Sequence, residues 1–224
     1  LAALPRDLGG TFSNDAATLT VSQDQALALG ALAASVAKKV TAWSATVGKY
    51  TSCRTQEARC RNELVQNLGM RLFRRPVADD QLPLYAGLFD VAAKQGDPFD
   101  VGASLVLRAM LQSPQFLYRI ERETGGSNGW RRVDDYELAS RLSFLLWSSS
   151  PDEELLAAAR AGKLSDDEGL REQVARLLGE ARSRDVMSSY ARDWLQFGEL
   201  DGLSAPPQRY PSFDAALRAD MKAE

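Results

Sequence analysis

The chain has 224 residues, of which 45% are hydrophobic and 25% charged, which places it with globular proteins and excludes the disordered, collagen-like and membrane classes. A net charge of -3 offers no general attraction to phosphate backbones or anionic lipid, so nucleic acid is not expected as a partner. No window approaches the roughly 18 consecutive apolar residues that a membrane-spanning helix needs, so a soluble protein without an integral membrane segment is expected.

Along the chain every strong periodicity has the helical period and none has the strand period, which predicts an all-α fold. The chain opens at Leu1 rather than Met and stops at Glu224, just after an amphipathic run from Phe213 to Met221, so both ends read as cuts in a longer polypeptide. The first helix follows Ser22, which makes a capping box with Gln25, and carries Leu29, Leu32, Val36, Val40 and Trp43 as its stripe. Residues 1–45 are expected to be the C-terminal remnant of a preceding module, contributing this one long helix.

Cys53 and Cys60 follow, in a polar stretch rich in Thr, Ser, Gln and Arg. A buried structural thiol prefers an apolar neighbourhood, and there is no other Cys. A disulfide stapling this loop to the next helix is therefore favoured, and with it a periplasmic or secreted location. The alternative is two free thiols in a cytosolic protein; zinc is disfavoured, because two Cys without any His would need two oxygen ligands.

Residues 46–123 make up the first helical module. Leu64, Leu68 and Leu72 mark a helix that stops near Arg75, because Pro76 disfavours helical geometry in the residue before it. A third helix runs through Leu84, Leu88, Val91 and Ala92 and closes before Gly96. The fourth, from about Asp100 to Gln112, carries Val101, Leu105, Val106, Leu107, Met110 and Leu111 around most of its circumference, as a helix buried on several sides would.

Residues 124–130 are a Gly/Ser-rich linker, with Thr124 to Gly129 a run of turn formers. Residues 131–224 form the second helical module, truncated at its C-terminus. In it Asp134 with Glu137, Ser150 with Pro151 and Glu153, and Ser165 with Glu168 each signal a helix start. The stripes that follow are Leu138, Leu142, Leu145 and Leu146, then Leu155 and Leu156 up to Gly162, then Leu170, Val174, Leu177 and Leu178, with a last helix from about Ser183 to Phe197. The expected architecture is two packed helical bundles joined by the linker.

Several phrases carry a family resemblance: Arg71-Leu-Phe-Arg-Arg-Pro-Val77, Ser113-Pro-Gln-Phe-Leu-Tyr-Arg119, Glu137-Leu-Ala-Ser-Arg-Leu-Ser-Phe-Leu-Leu-Trp147, Ser150-Pro-Asp-Glu-Glu-Leu-Leu156 and Gly162-Lys-Leu164. In this order the chain resembles the multi-domain cell-envelope proteins of planctomycetes and myxobacteria, built from domains of unknown function and often found with cytochrome-c-like domains. Residues 1 to 45, with Leu8-Gly-Gly-Thr-Phe-Ser-Asn14, are similar to the end of that family's preceding module. The resemblance implies export and a larger parent chain, and it supplies no activity.

The chain has no His, which excludes a Ser-His-Asp or Cys-His relay, a His metal site and a Cys-x-x-Cys-His haem attachment within it. Gly125, Gly126 and Gly129 follow no strand and lack the spacing of a phosphate loop. No cofactor and no metal is expected. The acidic clusters are Asp79 and Asp80; Asp134, Asp135 and Glu137; Asp152, Glu153 and Glu154; and Asp166, Asp167 and Glu168. A pair of these could act as acid and base in glycoside hydrolysis. Each, however, falls in a predicted first helical turn, where carboxylates cap free amides and offset the helix dipole, so Glu137, Glu153 and Glu168 are expected at helix starts without a convergent partner.

Arg71, Arg74 and Arg75 beside Phe73, and Arg131 and Arg132 beside Trp130, form basic-aromatic patches that could hold phosphate or an acidic polymer, but a solvated surface is the preferred reading. Trp130, Tyr136, Trp147, Trp194 and Tyr210 are candidates for sugar stacking, but aromatics at helical spacing are usually core. Arg108, on the most apolar helix, is read as an ion-paired or snorkelling side chain, with an anion site at a domain seam as the functional alternative, and Arg141 is within reach of Glu137.

The expected function is a non-catalytic helical structural or binding module of an exported multi-domain bacterial protein, in a redox or polymer-processing assembly. Its partners would be other domains of the same parent chain or envelope proteins. The alternative is a cell-envelope hydrolase acting on polysaccharide through a carboxylate pair in the cleft between the halves; its catalytic residues are unknown.

Overall fold

In a computed structural model, residues 21–42, 44–121, 133–195, 206 and 208–223 are described, and every regular element among them is helical, as the periodicity predicts. The predicted linker Thr124 to Gly129 lies outside the described residues, as do residues 1–20, Trp43 and Phe197. The described chain divides into two compact units, residues 21–177 and 178–223.

The first unit opens with α1 (Gln23–Thr41). The Ser22 hydroxyl accepts from the Gln25 amide at 3.2 Å while the Gln25 side chain accepts from the Ser22 amide at 2.9 Å, the capping box read from the sequence. The face α1 buries is not the leucine stripe but Ala33 and Ala37. Small side chains let α1 lie close to α6 (Phe99–Leu111), and Gly30 continues that line where an added Cβ would stand 3.2 Å from the Gln112 side chain.

After the short α2 (Ser44–Val47), α3 (Ala58–Leu72) buries Cys60, Leu64, Val65, Leu68 and Gly69, and it ends at Leu72, three residues before the stop expected near Arg75, because Arg74 already takes the left-handed conformation. The predicted third helix is split at Gly87 into α4 (Leu82–Ala86) and α5 (Leu88–Lys94). Counting the stripe across the break loses part of the inward face: Ala92 is buried and Leu88 packs against the core as the stripe predicts, but Leu84 and Val91 are exposed and Phe89 is buried instead. α6 is the centre of this part, packed against α1, α3, α4, α5 and α7 (Pro114–Leu117). Gly102 on α6 exists for the Phe89 ring, whose nearest atom would be 2.3 Å from an added Cβ. Phe73, Phe89, Phe99, Val106 and Met110 fill the core so formed.

Cys53 and Cys60 are joined by a disulfide with their Cα atoms 5.4 Å apart. Beside it Glu63 gathers the loop: its carboxylate accepts from the Ser52 hydroxyl at 2.7 Å and the Ser52 amide at 3.0 Å, and lies 3.3 Å from the Thr51 hydroxyl. The Ser52 hydroxyl above all, with the Ser52 amide, holds the Glu63 pKa below the ordinary glutamate value. A depressed carboxylate stabilises the fold above the ordinary glutamate pKa, and that support is lost as pH falls through the lowered value. We expect an NMR titration to place Glu63 below free glutamate and the Ser52→Ala variant to return it upward; a midpoint unmoved by the substitution would remove Ser52 as the cause.

The remainder of this unit is α8 (Asp135–Trp147), α9 (Glu153–Arg160), a 3-10 turn at Lys163–Ser165 and most of α10 (Asp167–Gly179). Its core is Ala139, Trp147, Leu155, Ala158, Ala159, Leu164 and Leu177, with the Trp147 indole N–H donating to the Leu177 carbonyl at 2.9 Å. Here too the leucine stripe is only a flank. α8 buries Ala139 and Ser143, Leu138, Leu142 and Leu146 are partly buried, and Leu145 is exposed. Two start signals move by a residue or two. α9 is capped by Asp152 rather than Ser150, and α10 by Asp166, which accepts from the Gly169 amide at 3.1 Å, rather than Ser165. Both positions place the stronger acceptor, a carboxylate, at the positive end of the helix.

The second unit holds α11 (Ala181–Trp194) and α12 (Ala215–Ala223). On α11, Tyr190 and Trp194 stack one turn apart with ring centroids at 6.4 Å, and α12 starts with the Leu217 amide donating to Asp214 at 2.8 Å.

A candidate anion-binding cavity

The end of α3 sets up the site. Phe73 is its last cap residue, and Arg74 follows in the left-handed conformation (φ 61), a position where glycine is usual. That turn sends the Arg74 guanidinium inward, where the residue is 5% exposed. Its N–H groups donate to four backbone carbonyls: Leu72 at 3.1 Å, Phe116 at 3.4 Å, Gln115 at 2.6 Å and Tyr118 at 2.9 Å. Arg74 thereby ties the end of α3 to α7 and the residues after it. Burial, and secondarily the positive charge of Arg119, lower its pKa from the ordinary arginine value. Arg74 and Arg119 both lie over the Phe144 ring of α8, at 5.8 and 5.2 Å from its centroid.

α7, capped by Ser113, carries Gln115 into place and delivers Arg119 just beyond its end. The start of α8 is fixed by a second capping box, in which Glu137 accepts from the Asp134 amide at 2.9 Å and Asp134 from the Glu137 amide at 2.7 Å, and this presents Tyr136, Glu137, Ser140 and Arg141. Between these segments lies a cavity of about 350 Å³. Its charged lining is Arg74, Arg75, Arg119, Arg141, Glu121 and Glu137, and Phe73, Ile120 and Tyr136 supply an apolar wall.

Three of the four guanidiniums are already engaged. Arg74 is spent on carbonyls, and Arg75 pairs with Asp134 and lies 3.9 Å from Glu137. Arg141 grips Glu121 with two N–H groups at 2.6 and 2.7 Å, and this pairing chiefly raises its pKa. Arg119 has no carboxylate partner among the described residues. Gln115 donates from Nε2 to Gln81 at 2.9 Å, and its Oε1 is buried without a hydrogen-bond partner among the described residues. The cavity therefore offers a planar cationic fork and an apolar wall.

The other residues singled out in the sequence are dispersed. Arg71 pairs with Glu153 at 3.1 Å on the surface. Asp135 turns away from the cavity to accept from the Leu164 and Ser165 amides at 3.1 and 3.3 Å. Asp152 caps α9 and receives two N–H groups of Arg176 at 2.8 and 3.0 Å, and Arg176 also reaches Glu154 at 3.1 Å and lies over Trp147. Glu168 stands in the first turn of α10, and Asp79 and Asp80 are exposed in the turn before α4. Arg108 is exposed, which matches the snorkelling reading. Trp147 is core, Trp194 and Tyr210 are exposed, and Trp130, Arg131 and Arg132 lie outside the described residues. Of the predicted stacking aromatics among the described residues, Tyr136 alone lines the cavity, and Gln115, Arg119 and Glu121 were not singled out as site residues by the sequence. Among the described residues no group of three or more carboxylates and thiols converges as metal ligands would.

No curated protein and no solved structure matches the chain. Residues 60–121 match the family described as PSD5: Protein of unknown function (DUF1595), and residues 133–224 match that described as PSD4: Protein of unknown function (DUF1592). The chain thus carries two successive domains of unknown function, one of each kind.

Proposed function

We propose that this chain is a non-catalytic helical binding module of an exported multi-domain bacterial protein, and that the arginine-lined cavity is where it takes hold of an anionic group. The observation that carries this reading is Arg119, a guanidinium on the cavity wall with no carboxylate partner among the described residues, next to three others that are engaged by carbonyls or carboxylates. Both carboxylates on the wall, Glu121 and Glu137, are drawn into arginine contacts, and Glu137 also closes the capping box of α8, which favours binding over hydrolysis. The Cys53–Cys60 disulfide supports a periplasmic or secreted location. Two modules of about residues 46–123 and 131–224 meeting near Thr124 to Gly129 are supported by matches that stop at 121 and resume at 133. Partner domains of the same parent chain, in a redox or polymer-processing assembly, would then present the anion.

The test is thermal unfolding in acetate or inorganic phosphate against chloride at matched ionic strength. A rise in melting temperature that disappears in Arg119→Gln is expected. No rise with either anion would refute the binding role of the cavity.

A further inference from the structure

We propose that the Cys53–Cys60 bond is a thiol–disulfide exchange site with a fixed polarity, in which an incoming thiolate attacks Cys53 and Cys60 is the sulfur that leaves. The site shares no residue with the cavity and does not depend on the anion-binding reading. Access decides the first half. Cys60 is 0% exposed, whereas Cys53 is half-buried in the loop before α3, so a thiolate arriving from outside reaches one sulfur of the two. Arg59, exposed on the first turn of α3, brings its Nη2 to 3.9 Å from the Cys53 Sγ, and a guanidinium there attracts the anion that attacks.

The surroundings of Cys60 decide the second half. The Thr55 Oγ1 lies 3.1 Å from the Cys60 Sγ, and because a disulfide sulfur carries no proton, the hydroxyl is the donor. Cys60 is also the third residue of α3, whose N-cap residue Glu57 makes no side-chain cap bond, so no carboxylate at the cap offsets the positive end of the helix where charge would form on Cys60. Both features favour the thiolate released as the bond breaks, against the burial that opposes it. In the exchange, one thiolate of a dithiol bonds to the Cys53 Sγ, the electron pair of the old bond passes to Cys60, and Cys60 takes a proton from water. The second thiolate of the dithiol then attacks its partner sulfur in the mixed disulfide and releases Cys53. The chain gains two electrons and the dithiol becomes a disulfide; oxidation of the chain runs the same steps in reverse. The loop is held for that return on either side of Cys53, by the Ser52 hydroxyl on Glu63 and by the Arg54 Nε donating to Asp100 of α6 at 3.1 Å.

The experiment exposes the folded, oxidised 224-residue chain to reduced glutathione or to dithiothreitol, quenches with denaturant and excess N-ethylmaleimide, and locates the labels by peptide mass spectrometry. With glutathione, the mixed disulfide is expected on Cys53 in at least about tenfold excess over Cys60, with the maleimide on Cys60. With dithiothreitol, the rate of reduction is expected to stay level as urea is added below the unfolding transition, as exchange in the folded state requires. Thr55→Val should slow reduction about fivefold and Thr55→Ser should restore it, because only the valine lacks the donor to the leaving sulfur. Arg59→Gln should slow it about threefold, an effect that fades as salt is added. Circular dichroism melts establish that each variant is folded, and the adduct map and urea series on the unaltered chain stand without the variants. Adducts divided equally between the two sulfurs, or found on Cys60, overturn the polarity. A rate that climbs with urea in proportion to the unfolded fraction overturns exchange in the folded state and leaves the bond purely structural. A Thr55→Val chain reduced as fast as the unaltered one overturns the assignment of Thr55 to the leaving sulfur.

Discussion

Replacing Arg74 by alanine is expected to lower the unfolding free energy by about 2–4 kcal/mol, measured by urea denaturation. The side chain is buried, and its donors serve four carbonyls at helix ends: Gln115, Phe116 and Tyr118 lie around the end of α7, and Leu72 ends α3. Alanine strands those acceptors and removes the cation from the Phe144 face. It also leaves a Cβ in a left-handed residue, a conformation that costs a non-glycine residue roughly 1–2 kcal/mol. Arg74→Gly strands the same carbonyls but relaxes the backbone, so it should be less destabilising than alanine by about 1 kcal/mol. Lysine has one ammonium where four carbonyls converge from two segments, and should recover only part of the loss. Should the glycine variant prove no better than alanine, the backbone conformation at Arg74 is not under strain. Because Arg74 also shapes the wall beside Arg119, the alanine variant is expected to lose anion binding together with stability.

Arg74 also illustrates what could be read from the chain and what could not. At the C-terminus of a helix a run of arginines has an ordinary local explanation, cations beside the negative end of the dipole, and Arg71 fits it on the surface. Arg74 departs from it because its partners lie 41 to 44 residues further on. Local signals were the legible ones. The boxes Ser22 with Gln25 and Asp134 with Glu137, the stop shortly before Pro76, the central place of α6 and the all-α class follow from spacings of a turn or less. The inward faces were misread wherever helices approach on small residues. Ala33 and Ala37 of α1, and Ala139 and Ser143 of α8, are buried while neighbouring leucines sit at the flank, because hydrophobic periodicity weighs a side chain by size, whereas close packing of backbones requires its absence. The cavity was hidden for the same reason as the Arg74 contacts. Arg75, Arg119 and Arg141 are separate basic residues in the sequence, and only the tertiary fold sets them on a shared wall where one, Arg119, has no carboxylate partner among the described residues.

Reduction of the Cys53–Cys60 bond is expected to lower stability by about 2–3 kcal/mol, the chain-entropy value for a loop closed over a separation of 7 residues. The setting decides how much of that is realised. Cys60 is fully buried at the start of α3, so the bond anchors the loop directly to the core around α6. The loop has non-covalent ties as well. The Thr51 hydroxyl donates to the Cys53 carbonyl at 2.7 Å and lies 3.3 Å from that of Cys60, Asn67 donates to the Tyr50 carbonyl at 3.0 Å, and Glu63 holds Ser52. These ties are native and do not survive in the unfolded ensemble, where the covalent loop does, so the disulfide acts mainly by restricting the unfolded chain and its contribution should approach the full value. Urea unfolding of the unaltered chain with and without reductant measures the difference. The Cys53→Ala, Cys60→Ala double variant should unfold near the reduced chain and be indifferent to reductant. A denaturation midpoint that reductant leaves unmoved would mean that the thiols are already free in solution, and the inference of an oxidising compartment would then lose its physical support.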